Sequence, residues 1–344
     1  MVDLKFIELM GVAKVVVDDC LGIRQGEKVL MTIDSRISDY PGIAELTQAL
    51  AAAMAERGLD PTIVTYEARV KKGAEIPELV TAAAMEADVL IALNSASYLH
   101  SSAFPKIYGA GRKLRVMLLP AGESVNRGGD SIYRLLPRTK EEMLQVAAIT
   151  SAVGKKFAEK PHTVHFTAAN GTDLMFKLGQ LRRNVLTGIC KDPGSSALLP
   201  GGTLSLGIDE GTASGTVVVD AELAKIPGLL KEPIIFSIKD GYATSVEGGG
   251  EATLLKEMID QIPYPMKEKL CVAEFGLGMN AKAELNGDSS EGERILGAAH
   301  IGFGANMTFG GTVKIPAWHF DCIIPNATVE VDGELILKDG KYLI

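Results

Sequence analysis

Through the first 160 residues, short apolar runs alternate with stretches whose apolar positions recur at helical spacing. Lys28 to Asp34 in RQGEKVLMTID reads as a short buried strand that stops at Asp34-Ser35-Arg36. Gly42 to Glu56, rich in alanine and leucine and closed by Arg57-Gly58, reads as a helix. A strand (PTIVTYE), a helix around Ile76 to Met85, a buried strand (ADVLIALNS), a helix near Ser101 to Ala110 and a strand (LRVMLLP) follow in turn. This alternation predicts a parallel sheet with helices on both faces, which binds ligands at the carboxyl ends of its strands. Asp34, Ser95, Ser97, His100, Gly122 and Glu123 fall at those ends. Thr139 to Lys160 is a further helix, acidic early and lysine-rich late as the helix dipole favours, and it ends before Pro161.

From His162 the pattern changes to alternating strands separated by tight turns. Asn170-Gly171, Asp240-Gly241, Asp332-Gly333 and Asp339-Gly340 carry the turn chemistry of hairpins, and Glu251 to Ile262 is the one clear helix. The chain therefore divides into an α/β domain with a parallel sheet at 1–160 and an antiparallel-rich α+β domain at 161–344.

Composition narrows the function classes. A net charge of -8 with no long basic run and one tryptophan argues against a nucleic-acid or anionic-membrane surface. The N-terminal amphipathic stretch carries acids and lysines throughout, so it reads as neither a signal peptide nor a membrane span, and a cytoplasmic location is expected. Cys20, Cys190, Cys271 and Cys322 show no C-x-x-C spacing and suit core thiols, with Cys322 placed next to Asp321. No G-x-G-x-x-G follows a strand, and no phosphate-loop signature occurs.

The candidate chemistry gathers near the C-terminus. Of five histidines, His300 lies in GAAHIGFGAN and His319 in PAWHFD, where strand alternation sends His319 and Asp321 to one face. Glu274 lies upstream in VAEFGLGMN, read as a strand running into a glycine-rich turn; a buried carboxylate there needs a cation or a lysine partner. Together Glu274, His300, His319 and Asp321 form a candidate site for one divalent metal ion: zinc, cobalt, manganese or ferrous iron. The alternative for each alone is a structural role, His319 and Asp321 as a hydrogen-bonded pair and His300 as a helix end. His100, in NSASYLHSSAF, is either an acid–base group or a helix cap. His162 and His165, three apart on one strand, face opposite ways and read as structural; Arg182-Arg183 reads as surface or a carboxylate binder.

At these residues the sequence resembles the aminopeptidase T and aminopeptidase S metallo-aminopeptidases and the related 2,5-dihydroxypyridine dioxygenases. The resemblance implies the two-domain order above and a homodimer. For the aminopeptidases it implies that Glu274, His300, His319 and Asp321 are metal ligands. It also places Thr203 where the family has a further glutamate and Met307 where it has a catalytic tyrosine, and both become candidate substrate-facing positions with Ser97. In the dioxygenase branch a histidine similar to His100 acts on substrate, and a single ferrous ion is held by the H-x-D plus a histidine at the strand-turn position occupied here by Glu274. The expectation drawn is a metal-dependent hydrolase of a small amide or short peptide, with one metal ion and His100 as proton shuttle. The alternative is a mononuclear iron(II) dioxygenase that opens a hydroxylated pyridine-type ring. A third class is a non-catalytic binding protein.

Overall fold

Two compact units organise the computed structural model, which describes residues 4–36, 42–69, 75–95, 101, 103–108, 111–119, 130–158 and 161–344. The first comprises 1–148 with 186–201, and the second 149–185 with 202–344. The division thus falls inside the helix Lys140–Lys156 rather than at 160/161, and a later segment returns to the first unit.

In the first unit the strands β1 (Val29–Asp34), β2 (Thr62–Tyr66), β3 (Val89–Leu93), β4 (Arg115–Leu118) and β8 (Ser196–Leu198) form a parallel sheet in the order β2-β1-β3-β4-β8. Every residue of β1, β3 and β4 is buried, as helices on both faces of a parallel sheet require. Helix Ile43–Glu56 buries Ile43, Leu46, Ala49, Leu50, Ala53 and Met54 along one stripe. Its first turn is capped by Glu45, whose Oε2 accepts from the Gly42 N–H at 2.7 Å. At the carboxyl end of the sheet Asp34 Oδ2 accepts from both the backbone N–H and the hydroxyl of Ser95, at 2.7 and 2.8 Å. The segment 186–201 belongs here because β8 pairs with β4 from Val116↔Ser196 to Leu118↔Leu198. Its three residues are too few for a periodicity to reveal them. His100 and Ser97 lie outside the described residues.

The second unit contains two antiparallel sheets. The eight-stranded sheet holds β5 (His162–Thr167), β6 (Asp173–Leu178), β10 (Ser214–Val219), β12 (Ile234–Lys239), β13 (Tyr242–Gly248), β17 (Thr328–Val331), β18 (Glu334–Lys338) and β19 (Lys341–Tyr342). The six-stranded sheet runs β11 (Glu222–Leu223), β16 (His319–Ile324), β15 (Ala299–Gly304), β14 (Val272–Gly278), β9 (Thr203–Gly207) and β7 (Arg183–Leu186). Three hairpin turns use Asp and Gly both at positive φ: Asp240-Gly241 (52° and 83°), Asp332-Gly333 (52° and 82°) and Asp339-Gly340 (46° and 76°).

The sheets stack through phenylalanines. Phe275 of β14 meets Phe166 of β5 and Phe176 of β6 at 5.7 and 5.0 Å between ring centroids, and Phe303 of β15 stacks on Phe236 of β12 at 4.7 Å. Ring pairs at such separations add to the area they bury. Period two then assigns the faces. Phe275, Phe303, Phe320 and Cys322 point into the sandwich, so Glu274, His300, His319 and Asp321 point out of it. Cys322 is a core thiol, its pKa pushed up by burial.

Candidate metal centre

The outer face of the six-stranded sheet is built in rows. Glu274 pairs with Gly302, Gly302 with Asp321, and Gly304 with His319; Gly276 pairs with His300 on one side and Ser205 on the other. Five polar side chains are thus interleaved with three glycines. The glycines are spatially required. A Cβ on Gly276 would overlap the His300 ring, and one on Gly302 would stand 2.7 Å from His319 Nε2 and 2.8 Å from Glu274 Cβ. Gly276 and Gly278 therefore lie within β14 rather than in a turn after it. His300 lies in strand β15, so the alternative reading of it as a helix end does not hold.

Glu274, His319 and Asp321 each offer a donor atom, and the three atoms lie within 4.8 Å of one another. His319 Nε2 stands 3.2 Å from Glu274 Oε2 and 3.2 Å from Asp321 Oδ1. Donors bound at about 2.1 Å in neighbouring positions around one ion stand roughly 3.0–3.4 Å apart, so this spacing suits a shared cation. His319 Nδ1 donates to the Ala305 carbonyl at 2.8 Å, which fixes the ring and leaves Nε2 for the ion. Two anionic carboxylates meeting one imidazole in a mostly buried site form a set that a divalent cation completes.

Without a cation, protons do that work. Burial would lower the His319 pKa, but the neighbouring Asp321 and Glu274 charges and hydrogen bonds push it up to about 10. Burial would raise the carboxyls; the His300 and His319 contacts instead hold Glu274 well below its ordinary range, and His319 does the same for Asp321.

His300 is placed differently. It is 2% exposed, and its Nε2 reaches Glu274 Oε1, not Oε2, at 3.4 Å. Ser205 donates to the same Oε1 at 2.6 Å. Ser205 was missed by sequence reasoning, although T-L-S-L-G alternates and puts it on the face of Thr203 and Gly207. Thr203 itself is buried, with its hydroxyl 3.2 and 3.3 Å from the Leu277 and Glu293 carbonyls. Met307 lies half-buried in the 3-10 turn Met307–Phe309 that follows β15. Glu210 accepts from Asn306 Nδ2 at 2.7 Å and the Thr312 N–H at 2.6 Å, and so ties down the loop that carries Ala305. His162 and His165 pair with Asp332 and Asp173, each at 2.8 Å. Arg183 donates to the Phe157 and Leu178 carbonyls.

The model of the NicX family, 2,5-dihydroxypyridine 5,6-dioxygenase, matches residues 22–344. This chain belongs to that family. The NicX-family chain is 24% identical over 271 residues to a curated 2,5-dihydroxypyridine 5,6-dioxygenase of Pseudomonas putida, a match covering 76% of this chain and 72% of the relative. Its fold matches the solved 2,5-dihydroxypyridine dioxygenase of Pseudomonas putida KT2440 at a TM-score of 0.82 and 19% identity, covering 99% of this chain and 98% of that one. It also matches wild-type AmpT of Thermus thermophilus at a TM-score of 0.67 and 17% identity, covering 98% and 99%. These findings correct the expectation of a metal-dependent hydrolase: family and curated relative both name a dioxygenase, and the aminopeptidase likeness is one of fold. Among the described residues no helix is long and apolar enough to cross a membrane.

Proposed function

We propose that this chain is a mononuclear iron(II)-dependent dioxygenase that cleaves the ring of a small hydroxylated pyridine-type substrate. The observation that carries the proposal is the convergence of Glu274, His319 and Asp321 on one glycine-cleared sheet face in a member of the NicX family. One imidazole and two carboxylates would hold the ion. Bound there, ferrous iron would supply the redox chemistry that activates O2 toward an electron-rich hydroxylated ring.

The protein's own contribution is positioning and exclusion of water. The Ala305 carbonyl holds the His319 tautomer, and Ser205 holds one Glu274 oxygen. The side chains of Glu274, His319 and Asp321 keep 11%, 16% and 13% of their surface, enough to reach a ligand while the flanking sheet is sealed. His100 is the proposed group for moving the substrate's hydroxyl proton, on its resemblance to the dioxygenase histidine.

The test is anaerobic loading with ferrous iron followed by 2,5-dihydroxypyridine and 18O2. O2 uptake with both labelled atoms in a ring-opened product is expected, with loss of turnover in His319→Ala and a large fall in His100→Ala. Turnover with zinc in place of iron, or no O2 uptake by iron-loaded protein on any hydroxylated pyridine, would remove the proposal.

A further inference from the structure

The two histidines of the centre are not equivalent, and their second nitrogens show why. A metal-bound histidine almost always donates its other ring N–H to a carbonyl or carboxylate. His319 meets that condition through Nδ1 and the Ala305 carbonyl at 2.8 Å. His300 does not: its Nδ1 is buried with no hydrogen-bond partner among the described residues. Were Nε2 of His300 bound to a metal, the proton would have to sit on Nδ1, leaving a buried N–H without an acceptor. With the proton on Nε2, that nitrogen donates to Glu274 Oε1 at 3.4 Å, and only an acceptor lone pair on Nδ1 stays unpaired among the described residues.

The two Glu274 oxygens divide in the same way. Oε1 receives Ser205 at 2.6 Å and His300 at 3.4 Å; Oε2 faces His319 Nε2 at 3.2 Å. The His300 ring lies against Gly276, with 3% of its side-chain surface exposed against 16% for His319. It is sealed behind the carboxylate.

We infer that Ser205 and His300 are positioning residues that clamp Glu274 Oε1, so that Glu274 offers only Oε2 and the ion is held by one histidine and two carboxylates. This rests on the metal-centre reading above.

The test counts imidazoles by pulsed EPR of full-length protein carrying one equivalent of Cu(II). The modulation of a single distal nitrogen is expected in wild type, unchanged in His300→Gln and lost in His319→Gln. Combination lines from two imidazoles in wild type, collapsing to one in His300→Gln, would overturn the clamp and leave the metal centre standing. A wild-type spectrum indifferent to His319→Gln would remove the metal centre itself. In parallel, Mn(II) titration should show Ser205→Ala weakened by roughly 10–100-fold, the usual cost of an outer-shell partner, with Ser205→Thr restored to within about threefold. Ser205→Ala binding like wild type, with an unaltered melting profile, would also overturn the clamp.

Discussion

Substituting Gly302 by alanine tests the site without touching a polar group. Gly302 lies in the pairing row between Glu274 and Asp321, and an added Cβ would stand 2.7 Å from His319 Nε2. Ordinary van der Waals contact begins near 3.4 Å, so the ring must retreat by about 3.4 − 2.7 = 0.7 Å. Metal bonds tolerate roughly ±0.2 Å, and such a retreat removes an imidazole donor. The expected loss of Mn(II) affinity is at least ~100-fold, equivalent to about 2.8 kcal/mol at 1.4 kcal/mol per tenfold. Overpacking should cost metal-free stability only about 1–3 kcal/mol, so the fold persists. Calorimetric Mn(II) titration measures the first quantity and urea denaturation the second. Gly250→Ala, which meets nothing within 4 Å, is the control. Affinity within threefold of wild type in a folded Gly302→Ala protein would refute the placement of the ion over this face.

Glu274→Gln keeps the shape and removes a charge, so metal affinity should fall at least ~100-fold with loss of ferrous-dependent O2 uptake; retained stoichiometric binding would exclude Glu274 as a ligand. With His319 held at about 10 in the metal-free protein, metal uptake near neutral pH must displace its proton, and the apparent affinity should rise roughly tenfold per pH unit up to that value. A pH-independent affinity between pH 6.5 and 9 would contradict this. In the metal-free protein the raised His319 stabilises fully below its unfolded pKa near 6.5, and that contribution is lost as pH rises through about 10. The lowered Glu274 and Asp321 stabilise above their unfolded values near 4 and lose that contribution as pH falls, so melting temperature against pH should peak between about 4.5 and 6.5. Phe275→Ala, at a fully buried ring touching Phe166 and Phe176, should cost about 3–5 kcal/mol in urea unfolding; a cost under about 1 kcal/mol would contradict the stacked sheets.

Much of this was legible along the chain because local chemistry dictates it. Apolar runs of four to six residues could only be buried parallel strands. The Asp-Gly pairs turned because only such residues accept two successive positive φ angles cheaply. Alternation put His319 and Asp321 on one face since a strand repeats every two residues. Tertiary structure decided what depends on residues far apart in sequence. The register of β14 against β9 and β15 brought Ser205 and His300 to one Glu274 oxygen and His319 to the other, which no spacing records. Pairing of the three-residue β8 with β4 moved the segment 186–201 into the first unit. The glycines of VAEFGLGMN read as a turn by composition, yet they lie within a strand, where the His300 ring fills the space a Gly276 side chain would take and the Arg294–Ile295 backbone the space of one at Gly278.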